Sequence, residues 1–255
     1  MIQLKSEREI ERMARAGSLV ADAFRRIAPM VQAGCRTRQI DEEIRDYVRG
    51  RGGELLFYQY KGFPAHSCIS VNEEVVHGIP GERVLRDGDI VSIDVGVRID
   101  GFCGDSARTF FVGEPSPKAR QVVECCREAL RAGIEAMQKG GQLSDVSRAI
   151  EEAVGRRSLH VVEKYVGHGI GREMHEEPQV PNFVGPAYDR LDMPLQPGLV
   201  LAIEPMVNEG TSDVRTGADG WTVVTADGGL SAHCEHTVAV TESGPRILTD
   251  SSDLE

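Results

Sequence analysis

The 255-residue sequence has no long hydrophobic run, and its opening residues, MIQLKSEREIERMARAG, do not contain the apolar segment of a signal peptide. A helix that crosses a membrane needs about 20 consecutive apolar residues, and no stretch of the chain approaches that length. We therefore expect a soluble cytoplasmic protein that makes no membrane contact.

Basic residues are scarce as well. The chain has 29 Lys and Arg against 40 Asp and Glu, which gives a net charge of -11. Nonspecific binding of nucleic acid depends on clusters of Lys and Arg, because these neutralise the phosphate backbone. The composition therefore predicts a protein with no nucleic-acid partner.

The sequence also lacks C-x-x-C spacing and any long linker. Its six cysteines are scattered, which favours reduced thiols over a disulfide framework or a zinc finger. No stretch rich in Pro and Ser divides the chain, so we expect a single domain over residues 1–255.

A predicted β-hairpin occupies residues 88–112, which read GDIVSIDVGVRIDGFCGDSARTFFV. Two apolar runs lie on either side of Asp100-Gly101, a pair that favours the positive φ angles of a two-residue turn. A turn centred on this pair fixes which residues of the two strands face each other.

That register places Asp94 opposite Ala107 and Gly96 opposite Asp105. The two aspartates are then diagonal neighbours on one face, roughly 7–8 Å apart at their Cα atoms. Two carboxylates at this separation repel each other unless a cation lies between them. The hairpin alone leaves two interpretations open, a metal site or two solvated aspartates on an exposed face.

An internal repeat follows from the order of the predicted elements. Helical spacing and capping residues predict helices from Ser6 to about Val31, from Thr37 to about Val48, from Ser116-Pro117 to about Lys139, and from Ser144 to about Arg157. Each pair of helices precedes strands, and LRDGDIVSID at 85–94 matches LQPGLVLAIE at 195–204. Each copy ends on a carboxylate, Asp94 or Glu204. We therefore predict two related halves, about 1–115 and 116–255, that share one core.

The second half supplies further candidate ligands. A second hairpin is predicted from 221–226 and 230–240 around Asp227-Gly228-Gly229, with Glu235 on its second strand. In GHGIGREMHEEP at 167–178, glycines flank His168, and His175 follows seven residues later. One histidine and four carboxylates suit two divalent ions that share a bridging water. Such a donor set favours manganese, iron, cobalt or zinc.

Five strings carry a family resemblance: HGIPG, IDVGVRIDGFCGDSARTF, GHGIGREMHEEP, AIEPMV and EHTVAV. Together they resemble type I methionine aminopeptidases of the bacterial kind, over essentially the whole chain. The resemblance implies the α+β "pita-bread" fold, in which a pseudo-two-fold curved antiparallel sheet is backed by helices. It also implies metal-dependent removal of the N-terminal methionine from nascent polypeptides, with a preference for a small second residue.

The resemblance assigns roles to individual residues. The implied metal ligands are Asp94, Asp105, His168, Glu204 and Glu235. A water that bridges the two ions would attack the scissile carbonyl while Glu204 relays the proton. His175 would stabilise the developing oxyanion, and His77 would contact the peptide bond or the next carbonyl.

The methionine side chain would occupy a pocket lined by Tyr60, Phe63, Cys68, Met174 and Trp221, because a thioether packs well on aromatic edges. Met174 stands where the bacterial enzymes often have Phe, and Phe57 where some relatives have Cys, so the pocket shape is open. A monovalent cation near Asn72 and Ser231 is a further expectation from the resemblance. The chain is expected to be a monomer, and contact with the ribosome is left open.

Other interpretations remain at this point. His77 and Glu235 taken singly could be solvated surface residues, and Met174 and Trp221 could fill the core. A proline-specific dipeptidase of the same fold would use similar ligands, although the HGIP context fits methionine removal better. A noncatalytic binding protein on this scaffold should have lost ligands, and all five are present.

Overall fold

The computed structural model describes residues 2–186 and 192–254, which form α-helices and antiparallel β-sheets. The helices are α1 (Glu7–Ile27), α2 (Thr37–Arg49), α3 (Pro117–Ala136) and α4 (Leu143–Gly155). None of the helices in these residues has the length and apolar character that a membrane span requires.

The strands of the first half are β1 (Glu54–Leu55), β2 (Cys68–Val71), β3 (Glu74–Val76), β4 (Ile90–Ile99) and β5 (Phe102–Phe111). Those of the second half are β6 (His160–Val161), β7 (Gly167–Gly169), β8 (Glu176–Val180), β9 (Val200–Ile203), β10 (Met206–Asn208), β11 (Val214–Thr216), β12 (Val223–Thr225), β13 (Ser231–His233), β14 (His236–Thr241) and β15 (Gly244–Ile247).

These strands form several antiparallel sheets. One has the order β1-β4-β2, with β5 also paired to β4, and another has the order β15-β14-β9-β7-β8. Two smaller sheets have the orders β13-β10-β6 and β11-β12-β3. Helices α1 and α2 bury their apolar faces against the first-half strands, and α3 and α4 pack against the second-half strands. Helices thus back the sheets in both halves.

The predicted hairpin forms with the expected register. Asp100 and Gly101 have φ angles of 53° and 78°, and β4 and β5 pair on either side of them. Asp94 faces Ala107 and Gly96 faces Asp105, so both aspartates lie on the same face of the hairpin. The turn dipeptide determined this register, because it left no other residue at the centre of the turn.

The internal repeat is visible in matched hydrogen bonds. Leu85 and Leu195 occupy equivalent positions in the two repeated segments, and both are 1% exposed. The carbonyl of each accepts a 2.9 Å hydrogen bond from the glycine amide of a preceding turn, Gly34 or Gly140. Each leucine amide donates back to the same turn at 2.8 Å. The same loop geometry therefore leads into β4 in one half and β9 in the other.

Two of the predicted helix caps are wrong by one or two residues. Helix α2 has Arg36 as its N-cap and α4 has Gln142, where the hydroxyls of Thr37 and Ser144 were expected. In both cases the side chain at the third helical position accepts a hydrogen bond from the cap amide. The Thr37 hydroxyl instead bonds to Gly81. Ser116 caps α3 as predicted, since its hydroxyl accepts from the Ala119 amide at 3.1 Å.

The hairpin predicted from 221–226 and 230–240 does not form. Strand β12 pairs with β11 and β3, whereas β13 pairs with β10 and β14 pairs with β9 and β15. The apolar run that suggested one long strand is interrupted at Cys234 and Glu235, whose amides donate to Pro205 and Ala107. Glu235 therefore lies at a break between two strands and not on a regular strand.

The turn at Gly101 makes a stability prediction. A Cβ at Gly101 or at Gly155 would meet no atom within 4 Å beyond the adjoining residues and the local helix backbone, but of the two only Gly101 has a positive φ. Gly101→Ala should lower the free energy of unfolding by about 1 kcal/mol, because a non-glycine residue is strained there. Gly155→Ala, at the end of α4, should raise it by up to about 1 kcal/mol. Urea unfolding of both variants measures the difference, and equal effects of the two would contradict it.

Candidate metal centre and its cleft

The first-half carboxylates reach the centre from the hairpin β4-β5. Asp105 is 3% exposed, and its backbone amide and carbonyl both bond to the Thr237 hydroxyl, at 3.0 and 2.8 Å. Asp94 lies beside Cys68 of the neighbouring strand β2. Thr237 belongs to β14, so the backbone at Asp105 is fixed directly to the second half of the chain.

The second-half carboxylates come from two strand ends. Glu204 follows β9 directly, and its backbone carbonyl accepts a 3.1 Å bond from the Asn182 side chain. Glu235, which is 2% exposed, lies between β13 and β14, and its amide donates to the Ala107 carbonyl at 2.8 Å. Since Ala107 faces Asp94 in the hairpin, this bond places Glu235 beside the aspartate pair.

His168 lies on β7 and is 8% exposed. Its Nδ1 lies 2.9 Å from the Gly169 carbonyl, which can only accept, so Nδ1 carries the proton. The lone pair of Nε2 is then available to a cation, and Nε2 lies 3.5 Å from Glu204 Oε1. The flanking glycines are required for close packing, since a Cβ at Gly167 would lie 2.3 Å from the Ala202 carbonyl oxygen.

These side chains fit a divalent metal. Ligand atoms of Asp105, His168 and Glu235 all lie within 4.8 Å of one another. One buried oxygen of each of Asp94, Asp105 and Glu235 has no hydrogen-bond partner among the described residues. Buried polar atoms are normally satisfied, and clustered carboxylate oxygens with one imidazole are the donors that a hard or borderline cation accepts.

The electrostatics of the centre agree with that fit. Burial raises the pKa of the Asp94, Glu204 and Glu235 carboxyls well above the usual range, and neighbouring carboxylates raise it further. Burial also raises the pKa of Asp105 to about 7 and lowers that of His168 to about 4. The carboxyls repel one another and the imidazole stays neutral, so a cation would stabilise the whole group.

The five residues predicted to bind the methionine side chain, Tyr60, Phe63, Cys68, Met174 and Trp221, all line one cleft of about 380 Å³ with the candidate ligands. Phe63, Cys68 and Met174 are buried in a cluster that also contains Phe57. The rings of Phe63 and Trp221 meet edge to face, with centroids 5.3 Å apart. The cleft thus has an apolar end beside its carboxylate end.

His77 and His175 line the same cleft. His77 follows β3 with a φ of 59°, a left-handed conformation that turns the chain at the cleft wall. The ring centroids of His175 and His168 lie 4.3 Å apart. Nδ1 of His175 lies 2.9 Å from the Tyr60 hydroxyl oxygen. Burial lowers the pKa of both His77 and His175, that of His175 to about 3, so both rings are neutral near pH 7.

Two residues near the centre, Tyr165 and His233, were not predicted from the sequence. The Tyr165 ring meets His77 edge to face at 5.5 Å. His233 is 2% exposed, and its Nε2, which has no hydrogen-bond partner in the described part of the chain, lies 3.7 Å from Glu204 Oε2. The string AHCEH, in which His233 precedes Glu235 by two, was the only available signal.

The residues named for a monovalent cation also lie together. The Ser231 amide donates to the Asn72 carbonyl at 2.9 Å, and Asn72 has a φ of 58°. The Ser231 hydroxyl is buried with no hydrogen-bond partner among the described residues. The monovalent site stays a prediction.

A model of metallopeptidase family M24 matches residues 11–242 of the chain. The chain belongs to metallopeptidase family M24. Methionine aminopeptidase 1 of Bacillus subtilis is 45% identical to this M24 protein over 249 residues, which cover 98% of this chain and 99% of that protein. The methionine aminopeptidase of Clostridium perfringens is 46% identical with the same coverage.

Solved structures support the same placement. The methionine aminopeptidase of Thermotoga maritima superposes on this M24 protein with a TM-score of 0.94 and is 42% identical, covering 98% of this chain and 100% of that one. The prolidase of Pyrococcus furiosus, at 23% identity and a TM-score of 0.77, shares the fold. The family and the α+β pita-bread fold predicted from the motifs are thus confirmed. The roles of individual residues stay predictions.

The buried carboxylates predict how pH affects the metal-free protein. Burial raises the pKa of Asp105 from 3.8 to about 7. Between these two pH values the Asp105 carboxyl keeps its proton in the folded state and has lost it in the unfolded state. Stability should therefore fall as pH rises through this window, and Asp105→Asn should flatten the fall. Urea unfolding of chelator-treated wild type and Asp105→Asn at pH of about 5 and about 8 measures it.

Asp213→Asn, a change at an exposed site, is the matched control and should keep the wild-type pH dependence. An Asp105→Asn protein with the same pH dependence as wild type would contradict the prediction.

Proposed function

We propose that this M24 protein is a methionine aminopeptidase that removes the N-terminal methionine of nascent polypeptides. The observation that carries the proposal is the cleft itself, where an apolar pocket around Met174, Phe63 and Trp221 adjoins the cluster of buried carboxylates. The identity of 45% to a protein named methionine aminopeptidase 1, over nearly the full length of both chains, supports it.

Asp94, Asp105, His168, Glu204 and Glu235 would hold two divalent ions, with cobalt, manganese, iron and zinc as the candidates. When bound, such ions act as Lewis acids and lower the pKa of water, which suits hydrolysis of a peptide bond. The free amine at the start of the substrate would lie at this carboxylate end. The methionine side chain would then extend into the apolar end.

We propose that His175 donates a hydrogen bond to the carbonyl oxygen of the scissile bond. If the Tyr60 hydroxyl donates to Nδ1, the neutral ring carries its proton on Nε2 and can donate that proton in a hydrogen bond. A neutral donor in a largely buried site stabilises negative charge that develops on the oxygen. His77 would contact the peptide bond or the next carbonyl, and a carboxylate oxygen of Glu204 would hold and pass on the proton.

Three further predictions belong to this proposal. A small second residue is preferred, the protein acts in the cytoplasm, and it is a monomer. All three stay predictions from the sequence and its family resemblance.

A substrate assay separates this function from its alternatives. With added Mn(II) or Co(II), the protein should release methionine from Met-Ala-Ser and leave the dipeptide Ala-Pro intact, because the apolar pocket accommodates the thioether. Cleavage of Ala-Pro alone would indicate a proline-specific dipeptidase, which is a function found on this fold. Cleavage of neither peptide would favour a noncatalytic binding protein.

The assignment of His175 predicts a loss of turnover without a loss of metal. His175→Ala should lower kcat by about 10²- to 10³-fold, the range for removal of one oxyanion donor. Tyr60→Phe, which keeps the ring and removes the hydroxyl, should lower kcat by a smaller factor because only the orientation of His175 is affected. Steady-state kinetics and metal analysis check both variants. An unchanged kcat in His175→Ala with metal bound would remove His175 from the mechanism.

A further inference from the structure

Lys5 is a buried lysine close to the start of the chain. Its side chain is 6% exposed, and Nζ lies 2.6 Å from Glu176 Oε2. Nζ also donates to the Gln3 carbonyl at 2.9 Å, and the Lys5 amide donates to the Gly198 carbonyl at 2.7 Å. The N-terminal segment is therefore attached at Lys5 to two separate parts of the second half.

The other carboxylate oxygen of Glu176 accepts hydrogen bonds from backbone amides that lie close to it in the chain. Oε1 accepts from the amides of Arg172 and Glu173, at 2.9 and 3.2 Å. The carboxylate thus closes a tight loop, residues 171–175, with Gly171 at its start. A Cβ at Gly171 would lie 2.5 Å from Lys5 Cε and 2.6 Å from Glu176 Oε1, so the ion pair packs directly on the loop backbone.

The 171–175 loop ends in two residues of the cleft. Met174, which is 4% exposed, lies in the apolar cluster, and His175 contacts Tyr60 and His168. Both follow directly after the two amides that Glu176 binds. A change in the position of the Glu176 carboxylate would therefore move the methionine pocket and the proposed oxyanion donor together.

We propose that Lys5 and Glu176 are positioning residues, which set the specificity for the first residue of the substrate by fixing the 171–175 loop. Withdrawing a lysine and a carboxylate from water is costly, and such a pair contributes little net stability. It gives instead a defined geometry, because Glu176 must satisfy Lys5 and two backbone amides at once. The sequence alone gives no indication of this ion pair, because Lys5 and Glu176 are 171 residues apart in the chain.

Lys5→Met tests the proposal, since it keeps the aliphatic stem and removes the charge. Glu9→Gln is the matched control, because Glu9 makes an ion pair with Arg172 on the exposed side of the same loop, at 3.2 Å. Glu176→Gln is a second variant that keeps an oxygen for the two amides and loses the ion pair. It covers the case in which Lys5→Met does not fold.

Two measurements are made on each metal-loaded variant. The first is the ratio of kcat/KM for Met-Ala-Ser over Leu-Ala-Ser, which a purely structural role would leave unchanged. The second is hydrogen exchange at the amides of Arg172 and Glu173, which needs no activity. The kinetic measurement depends on the proposed function, whereas the exchange measurement does not, so the two can fail separately.

In Lys5→Met both amides should exchange faster, and the ratio should fall about tenfold, since small displacements of substrate-positioning groups have large kinetic effects. Glu176→Gln should shift both quantities in the same direction by less, and Glu9→Gln should shift neither. The proposal is overturned if folded Lys5→Met, or Glu176→Gln in its place, keeps the wild-type ratio and the wild-type exchange. If the wild type cleaves neither peptide, the proposed function fails. The positioning role is then rejected if the amides of Arg172 and Glu173 exchange at the wild-type rate in Lys5→Met.

Discussion

Asp94, Asp105, Glu204 and Glu235 are withdrawn from water into one cleft, and burial raises the pKa of each carboxyl. Buried carboxylates are costly unless they are neutralised or paired, so the fold must hold this group firmly. The hydrogen bonds around the centre provide that firmness. The Glu235 amide bonds to Ala107 and the Thr237 hydroxyl bonds to Asp105, and both contacts join the two halves of the chain.

The internal repeat explains how one chain supplies both sides of the centre. The matched turns at Leu85 and Leu195 lead into β4 and β9, and these strands deliver Asp94 and Glu204. The apolar end of the cleft is not repeated in this way. It is assembled from the loops that carry Phe63, Met174 and Trp221. The repeat therefore delivers carboxylates to the cleft, whereas loops that are not repeated line its apolar end.

The features that the sequence predicted well were those fixed by local chemistry. Asp100-Gly101 determined the register of the hairpin. The repeated segments pointed to Glu204 as the counterpart of Asp94, and both residues line the same cleft. The predicted hairpin around Asp227 does not form, because the chain breaks between β13 and β14 at Cys234 and Glu235, whose amides bond to other segments. His233 and Glu176 depend on partners far away in the chain, which no local pattern reveals.

If the carboxylate cluster holds the divalent metal ions proposed for hydrolysis, metal content and activity must change together. The most direct measurement is metal content per chain, followed together with cleavage of Met-Ala-Ser through chelation and stepwise return of one metal. Activity should disappear as the metal is removed and return in proportion to the metal bound at the centre. Full activity in protein shown to contain no metal would contradict it.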